Sequence, residues 1–214
     1  MTTPYFDLTV TPINCLTVSQ MKTRAYAMTD RADSVEETRQ RIIRTSRALF
    51  AQRWYDDVTL GQIAEAAGVS HQTVLNHFKS KEGVFAAVLA VVEAEVVEAD
   101  ARGSAGDTSA AIQKLLDRYE RMGLENARFV VQEHRSPALH ETLERARTQH
   151  RAWVEQVFAP CLAPSGPERR RKIAALIAAT EVMAWKAVRH DYGFSKADTV
   201  AAMTAVINAI EEQS

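Results

Sequence analysis

The stretch Thr59-Leu-Gly-Gln-Ile-Ala-Glu-Ala-Ala-Gly-Val-Ser-His-Gln-Thr-Val-Leu-Asn-His-Phe-Lys-Ser-Lys81 decides how this chain is read. Leu60, Ile63, Ala64 and Ala67 recur at helical spacing, and Thr59 stands before them with a hydroxyl that can cap the first free N–H groups. Gly68 suits the left-handed conformation that ends a helix sharply, and the small Ala64 lets another helix cross closely. Val69 fills the corner, and Ser70 caps a second helix whose inner face is Val74 and Phe78. Its other face carries His71, Gln72, Thr73 and Asn76. Two helices set at a large angle by a short Gly-containing turn form a helix-turn-helix, whose second helix enters the DNA major groove. A surface helical hairpin is the plainer alternative; two caps, a small crossing residue and the spacing together favour the DNA-reading unit.

The chemistry of the second helix sorts its residues. Gln and Asn can bond bidentately to an adenine edge, and Thr offers a hydroxyl and a methyl. Gln72, Thr73, Asn76 and, beside them, His71 are the base-reading candidates. Thr59, Ser70, His77, Lys79 and Lys81 flank the unit and are candidates for phosphate contacts, which position the protein without specifying sequence. Arg39, Arg41, Arg44, Arg47 and Arg53 crowd the preceding segment, where phosphate contact and a solvated helix face are equally open readings.

Residues 36–90 resemble the N-terminal domain of tetracycline-repressor-type (TetR-family) regulators. The likeness is carried by Arg39-Gln-Arg-Ile-Ile-Arg-Thr-Ser-Arg-Ala-Leu-Phe50, by Val58–Ser70 and by His77-Phe78-Lys-Ser-Lys-Glu-Gly-Val-Phe85. Two positions depart from the family pattern. Leu75 replaces a Tyr that usually meets phosphate, and Trp54 replaces a Gly, so the first helix should end without a left-handed glycine and Trp54 should pack over the hinge. Ala178–Ser195 is also similar, less specifically, to the C-terminal region of some such regulators.

The bulk of the chain agrees with an all-α fold. Over 214 residues, 46% hydrophobic content with only 8 Gly and 6 Pro supports a large helical core, and no segment alternates with period two. A formal net charge of −1 excludes a uniformly basic surface, leaving a local basic face. Cys15 and Cys161 lie far apart and indicate neither a disulfide framework nor a metal cluster, and a reducing cytoplasm is the expected compartment. No membrane span or signal core is read. No nucleophile motif, phosphate loop or metal-ligand spacing points to an enzyme, and no cofactor or metal is expected.

Three regions are expected: residues 1–33, mostly disordered; 34–82, a three-helix helix-turn-helix DNA-binding domain; and 83–214, a helical ligand-binding and dimerisation domain. Lys22, Arg24 and Arg31 in the first region have a second reading, as a flexible arm toward the DNA backbone. Ser34 with Glu37 forms a capping-box spacing for the first helix, and Ile42, Ile43, Leu49 and Phe50 give its buried face. A long helix from about Gly83 ends near the Gly/Ser stretch Arg102–Gly106. Beyond it the pattern predicts helices over 108–122, 125–134, 137–160, 168–190 and 196–212, with Ser136 as a cap and Pro137 at a first helical position.

A palindromic double-stranded operator read by a homodimer doubles the contacts of one helix-turn-helix. Two apolar stripes suit that role: Ile173, Leu176, Ile177, Thr180 and Met183, and Met203, Val206, Ile207 and Ile210. The family resemblance implies that these last two helices pair with their copies in a four-helix interface; the other reading is that both stripes are intramolecular core. It also implies a pocket for a small-molecule effector whose binding respaces the reading heads, and a repressor rather than an activator. Tyr119, Met122, Phe129, Trp153 and Trp185 are candidate pocket walls and His134, His150 and Glu181 candidate polar contacts, each of which has a core or surface role as its alternative. A ligand-independent DNA-binding protein is the nearest rival and a helical enzyme a more distant one, separable by whether the C-terminal helices enclose a cavity and whether convergent titratable groups there turn over a substrate.

Overall fold

A computed structural model describes residues 16–101 and 108–212, with side chains placed for 33–96 and 108–212. Residues 1–15, including Cys15, and the expected break at Arg102–Gly106 lie outside the described residues, as do the side chains of Lys22, Arg24 and Arg31. Among the described residues the chain is helical, with no strand. The helices are α1 (Leu16–Gln52), α2 (Leu60–Ala67), α3 (His71–Phe78), α4 (Lys81–Ala101), α5 (Thr108–Val131), α6 (Pro137–Val157), α7 (Gly166–Thr180), α8 (Val182–Lys186) and α9 (Lys196–Glu212).

The chain divides after Arg41 into two compact units. In the first, the helix expected to open at Ser34 begins at Leu16, and residues 16–33, expected to be disordered, are helical. Ser34 is an interior residue whose carbonyl accepts from the Thr38 hydroxyl at 2.9 Å. The Ser34/Glu37 spacing is also an ordinary i, i+3 pair, which is why it did not mark a helix start.

From Ile42 onward the fold has two apolar clusters. The first packs Ile42, Ile43 and Phe50 of α1 against Ile63, Ala64 and Ala67 of α2, Val74 and Phe78 of α3, and Val84, Phe85, Val88 and Leu89 of α4. Burying such side chains stabilises by about 1.5–3 kcal/mol each, so this short-helix domain depends on its tertiary core rather than on helix propensity. Phe85 stands centrally, with ring centroids 4.5 Å from Phe50, 5.1 Å from Tyr55 and 5.7 Å from Phe129 of α5. The second cluster joins Ile112, Leu115, Leu116 and Tyr119 of α5 to Val154 and Phe158, to Leu176 of α7, to Trp185 of α8 and to Ile207 of α9.

Two sequence boundaries are corrected here. The segments expected over 108–122 and 125–134 are one helix, α5, which runs through Gly123; a Cβ there would lie 2.3 Å from the Trp185 ring, so the glycine is a close-packing site and not a break. The helix expected over 168–190 is interrupted at Glu181, whose ψ of 144° is extended, and α8 passes into a π-helical turn, Ala187–Asp191. Ser136 and Pro137 behave as expected: the Leu139 N–H donates to Ser136 Oγ at 3.2 Å and Pro137 opens α6.

The second cluster also revises the apolar stripes. Ile173, Leu176, Thr180, Met203 and Ile207 are buried within this chain and form its own core. Ile177, Met183 and Ile210 are half-buried and Val206 is 52% exposed. Each helix is apolar over more than one side, so spacing alone does not separate the core-facing positions from the uncovered ones.

Candidate nucleic-acid interface and cavity

The helix-turn-helix forms as its local chemistry dictates. Thr59 Oγ1 accepts from the Gln62 N–H at 3.2 Å while Gln62 Oε1 accepts from the Thr59 N–H at 2.9 Å, a reciprocal capping box. Gly68 is left-handed, with φ 64°, and its N–H and that of Val69 reach back to the end of α2. Ser70 Oγ accepts from the Thr73 N–H at 3.0 Å and opens α3.

The exposed face of α3 presents His71, Gln72 and Asn76, with Thr73 half-buried. Gln72 Nε2 donates to Asn76 Oδ1 at 2.9 Å. That bond leaves Gln72 Oε1 as an acceptor and the Asn76 amide as a donor, the pair of functions that complements adenine N6–H and N7. Thr73 is different: its hydroxyl is 2.8 Å from Ser70 Oγ, so its methyl is the more available group.

The flanking candidates divide in the same way. Lys79 caps α3 with a φ of 67° and folds its Nζ onto the Asn76 carbonyl at 3.2 Å. Lys81 turns inward, donating to the Tyr55 carbonyl at 3.0 Å with its Nζ 4.1 Å from the Tyr55 ring centroid. In this arrangement it holds the hinge, and Arg47 is likewise committed, to Glu95 at 2.7 Å and Glu125 at 2.8 Å, which raises its pKa further. Thr59 and Ser70 spend their hydroxyls on helix caps, and His77 is half-buried beside Phe78.

A junction that the sequence did not signal ties this head to the next helices. Glu82, in the first turn of α4, accepts from Tyr55 Oη at 2.6 Å, from Ser136 Oγ at 2.7 Å and from the Ala138 N–H at 3.0 Å. Burial would raise its pKa, but those three bonds and Lys81 together hold it below the usual carboxylate range, while burial and then the Glu82 bond raise the Tyr55 pKa. Gln132, at 1% exposure, accepts from the Tyr55 N–H at 2.6 Å. Trp54 has φ −67° and, rather than covering the hinge core, lies 42% exposed within reach of the Arg128 and Arg135 guanidiniums, with Arg135 also paired to Asp56.

Beside this junction α4, α5 and α6 surround a cavity of about 180 Å³ that reaches the break between α7 and α8. Val92, Phe129, Leu139 and Leu143 supply apolar wall, and Glu93, Arg118, Asn126, His150 and Glu181 polar groups. Of the eight residues expected at a pocket, Tyr119, Phe129, His150 and Glu181 line it. The others lie elsewhere: Met122 packs on the first cluster, His134 is exposed, Trp153 stacks on His150 at 5.6 Å, and Trp185 is buried with its Nε1 donating to Glu120 at 3.1 Å. Met122, Trp153 and Trp185 share helices with lining residues but are not among them, and His134 lies in the turn between α5 and α6.

At the α7/α8 end the polar groups are ordered around Thr180. Tyr119 Oη donates to the Thr180 carbonyl at 2.7 Å, Thr180 Oγ1 donates to the Leu176 carbonyl at 2.7 Å, and His150 Nε2 lies 2.9 Å from Thr180 Oγ1. Burial, with Arg118 nearby, pushes the His150 pKa down to about 4, so the ring is neutral near pH 7. Burial likewise raises the Glu181 pKa, against the lowering by Arg147 and the Val182 N–H.

Residues 42–88 match the family described as bacterial regulatory proteins, tetR family. The HTH-type transcriptional regulator AcrR of Shigella flexneri is 32% identical over 84 residues, 38% of this chain and 39% of that protein. SrpR of Pseudomonas putida, also an HTH-type transcriptional regulator, is 48% identical over 59 residues, 28% of each chain. The reading head is thus similar to that of the tetR family. Its match to these relatives spans about two fifths of AcrR and just over a quarter of SrpR. The fold likeness extends further: the tetR-family regulator of Streptomyces coelicolor superposes with TM-score 0.65 over 82% of both chains at 18% identity. Family resemblance is thus strongest where α1, α2, α3 and the start of α4 build the reading head.

Proposed function

We propose that this protein is a DNA-binding transcriptional regulator that reads a palindromic operator as a homodimer and responds to a small molecule in the cavity. The exposed Gln72–Asn76 pair on the second helix of a capped helix-turn-helix carries the DNA reading. The tetR-like head and the names of its relatives, HTH-type transcriptional regulators, support transcription as the process; repression as the sense of control and the cytoplasm as the place are part of the same proposal. No helix among the described residues is long and apolar enough to cross a membrane.

The homodimer rests on the part of α7 and α9 left uncovered by the core. Val206, Ala178, Ala202 and Ala209 are exposed there, with Ile177 and Ile210 half-buried, and small residues allow close helix approach. The cavity favours a ligand-responsive regulator over a ligand-independent one. Its walls include α4, and Leu139 on α6 is bonded through Ser136 to Glu82 at the start of α4, so displacement of α6 acts on the helix that follows the reading head. A ligand moves this equilibrium only by its difference in affinity between the two states, up to about 5.5 kcal/mol for a nearly complete switch.

The test is selection of binding sites from random duplexes, followed by titration of the native protein, Gln72→Ala and Asn76→Ala against the selected site and random DNA. Each substitution should weaken the selected site by about 1–3 kcal/mol and random DNA far less. Equal loss on both refutes base reading; sedimentation at micromolar concentration, with Val206→Glu giving monomer, tests the dimer.

A further inference from the structure

The charges at the cavity are unequally matched. Arg147 is held by Glu133 and by Glu144, and Glu93 holds Arg145 at 3.0 Å. Arg118 is engaged in interactions of its own. Glu181 lines the cavity at the α7/α8 break; the Val182 N–H donates to it, and among the described residues no side chain hydrogen-bonds to it. A half-buried carboxylate with only a backbone donor keeps acceptor capacity unmet, and burial pushes its pKa upward.

A second acceptor follows from the order of hydrogen bonds. Thr180 Oγ1 gives its proton to the Leu176 carbonyl, so toward His150 it is the acceptor and His150 Nε2 carries the hydrogen. In the neutral ring the proton on Nε2 leaves Nδ1 with a lone pair. The polar end of the cavity therefore offers a carboxylate from Glu181 and an imidazole lone pair, beside apolar walls from Val92, Phe129 and Leu139.

Two acceptors beside an apolar chamber select a ligand that brings N–H donors on a hydrocarbon body. We propose that the cavity takes a small lipophilic amine, its hydrocarbon or aromatic part against Phe129 and Leu139 and its ammonium on Glu181, with His150 Nδ1 as the second acceptor. This class assignment rests on the effector reading of the same cavity. A lipophilic acid, drawn by Arg118, is the opposite outcome.

Isothermal titration of the full chain with 2-phenylethylamine, 2-phenylethanol and 3-phenylpropionate distinguishes them, since the three share a ring and differ in head-group charge. The amine should bind tightest, and Glu181→Gln should reduce the amine-to-alcohol affinity ratio at least tenfold. Because the ratio is taken within each variant, a general loss of stability does not imitate the result. Tightest binding of 3-phenylpropionate, an unchanged ratio in Glu181→Gln, or binding of none of the three overturns the amine assignment. The same ligands are then added to the protein–DNA complex. Amine binding with the Glu181 dependence but without DNA release keeps the ligand class and refutes the effector role. Release by the alcohol or the acid alone keeps the effector role and refutes the class.

Discussion

Removing the Glu82 carboxylate should destabilise the fold well beyond a surface substitution. In Glu82→Ala three donors lose their acceptor at once: Tyr55 Oη, Ser136 Oγ and the Ala138 N–H. Hydrogen bonds to a charged group contribute about 1.5–3 kcal/mol each, which bounds the loss at roughly 4.5–9 kcal/mol if they added fully. Glu82 is half-buried and water can reach part of the site, so the expected cost is about 2–3 kcal/mol, or roughly 1 M in the urea midpoint at unchanged slope. Urea unfolding at fixed protein concentration, followed by circular dichroism, measures it. Tyr55→Phe and the double variant complete a cycle whose coupling energy should exceed about 0.5 kcal/mol. A cost under about 0.5 kcal/mol for Glu82→Ala, or zero coupling with Tyr55, would refute the view that this carboxylate fastens α4 to the hinge and to α6.

Gly123→Ala should destabilise by about 1–3 kcal/mol and disturb near-ultraviolet circular dichroism, because the new methyl meets the Trp185 ring at 2.3 Å. Ser46→Ala should do the opposite: Ser46 is fully buried with an Oγ that has no hydrogen-bond partner among the described residues, so replacement raises the thermal midpoint by the equivalent of about 1 kcal/mol. Stability should fall as pH drops from about 6.5 toward 4, since His150 is neutral in the fold down to about 4 while the unfolded chain takes up its proton earlier. The loss is at most on the order of 3 kcal/mol before solvent screening, and His150→Gln should flatten that window in pH-dependent melts.

The reading head was legible because each of its decisions is local. Thr59, Gly68 and Ser70 fix helix ends within three or four residues of themselves, and Val74 and Phe78 reveal the buried face by spacing alone. What was lost depends on distant partners. Gly123 reads as a breaker until Trp185, far along the chain, is seen to pack on it. Glu82 lies in the first turn of α4, and nothing in its sequence neighbourhood announces Ser136 and Ala138. The cavity was half legible: helical spacing identifies Tyr119 and Phe129 as inward residues, but the rotation that turns Trp153 and Trp185 away from it is set by tertiary packing.

The break at Glu181 bears on how such a protein can acquire new ligands. Where α7 stops, a carbonyl that a continuous helix would satisfy is served instead by Tyr119, and the Thr180 hydroxyl is shared between Leu176 and His150. Altering Tyr119 or His150 to suit another molecule also unsettles a helix end, whereas Asn126 and Gln149 border the same cavity without that duty. Changes of ligand preference are therefore channelled toward Asn126 and Gln149, while Tyr119 and His150 stay fixed by their duty at the helix end.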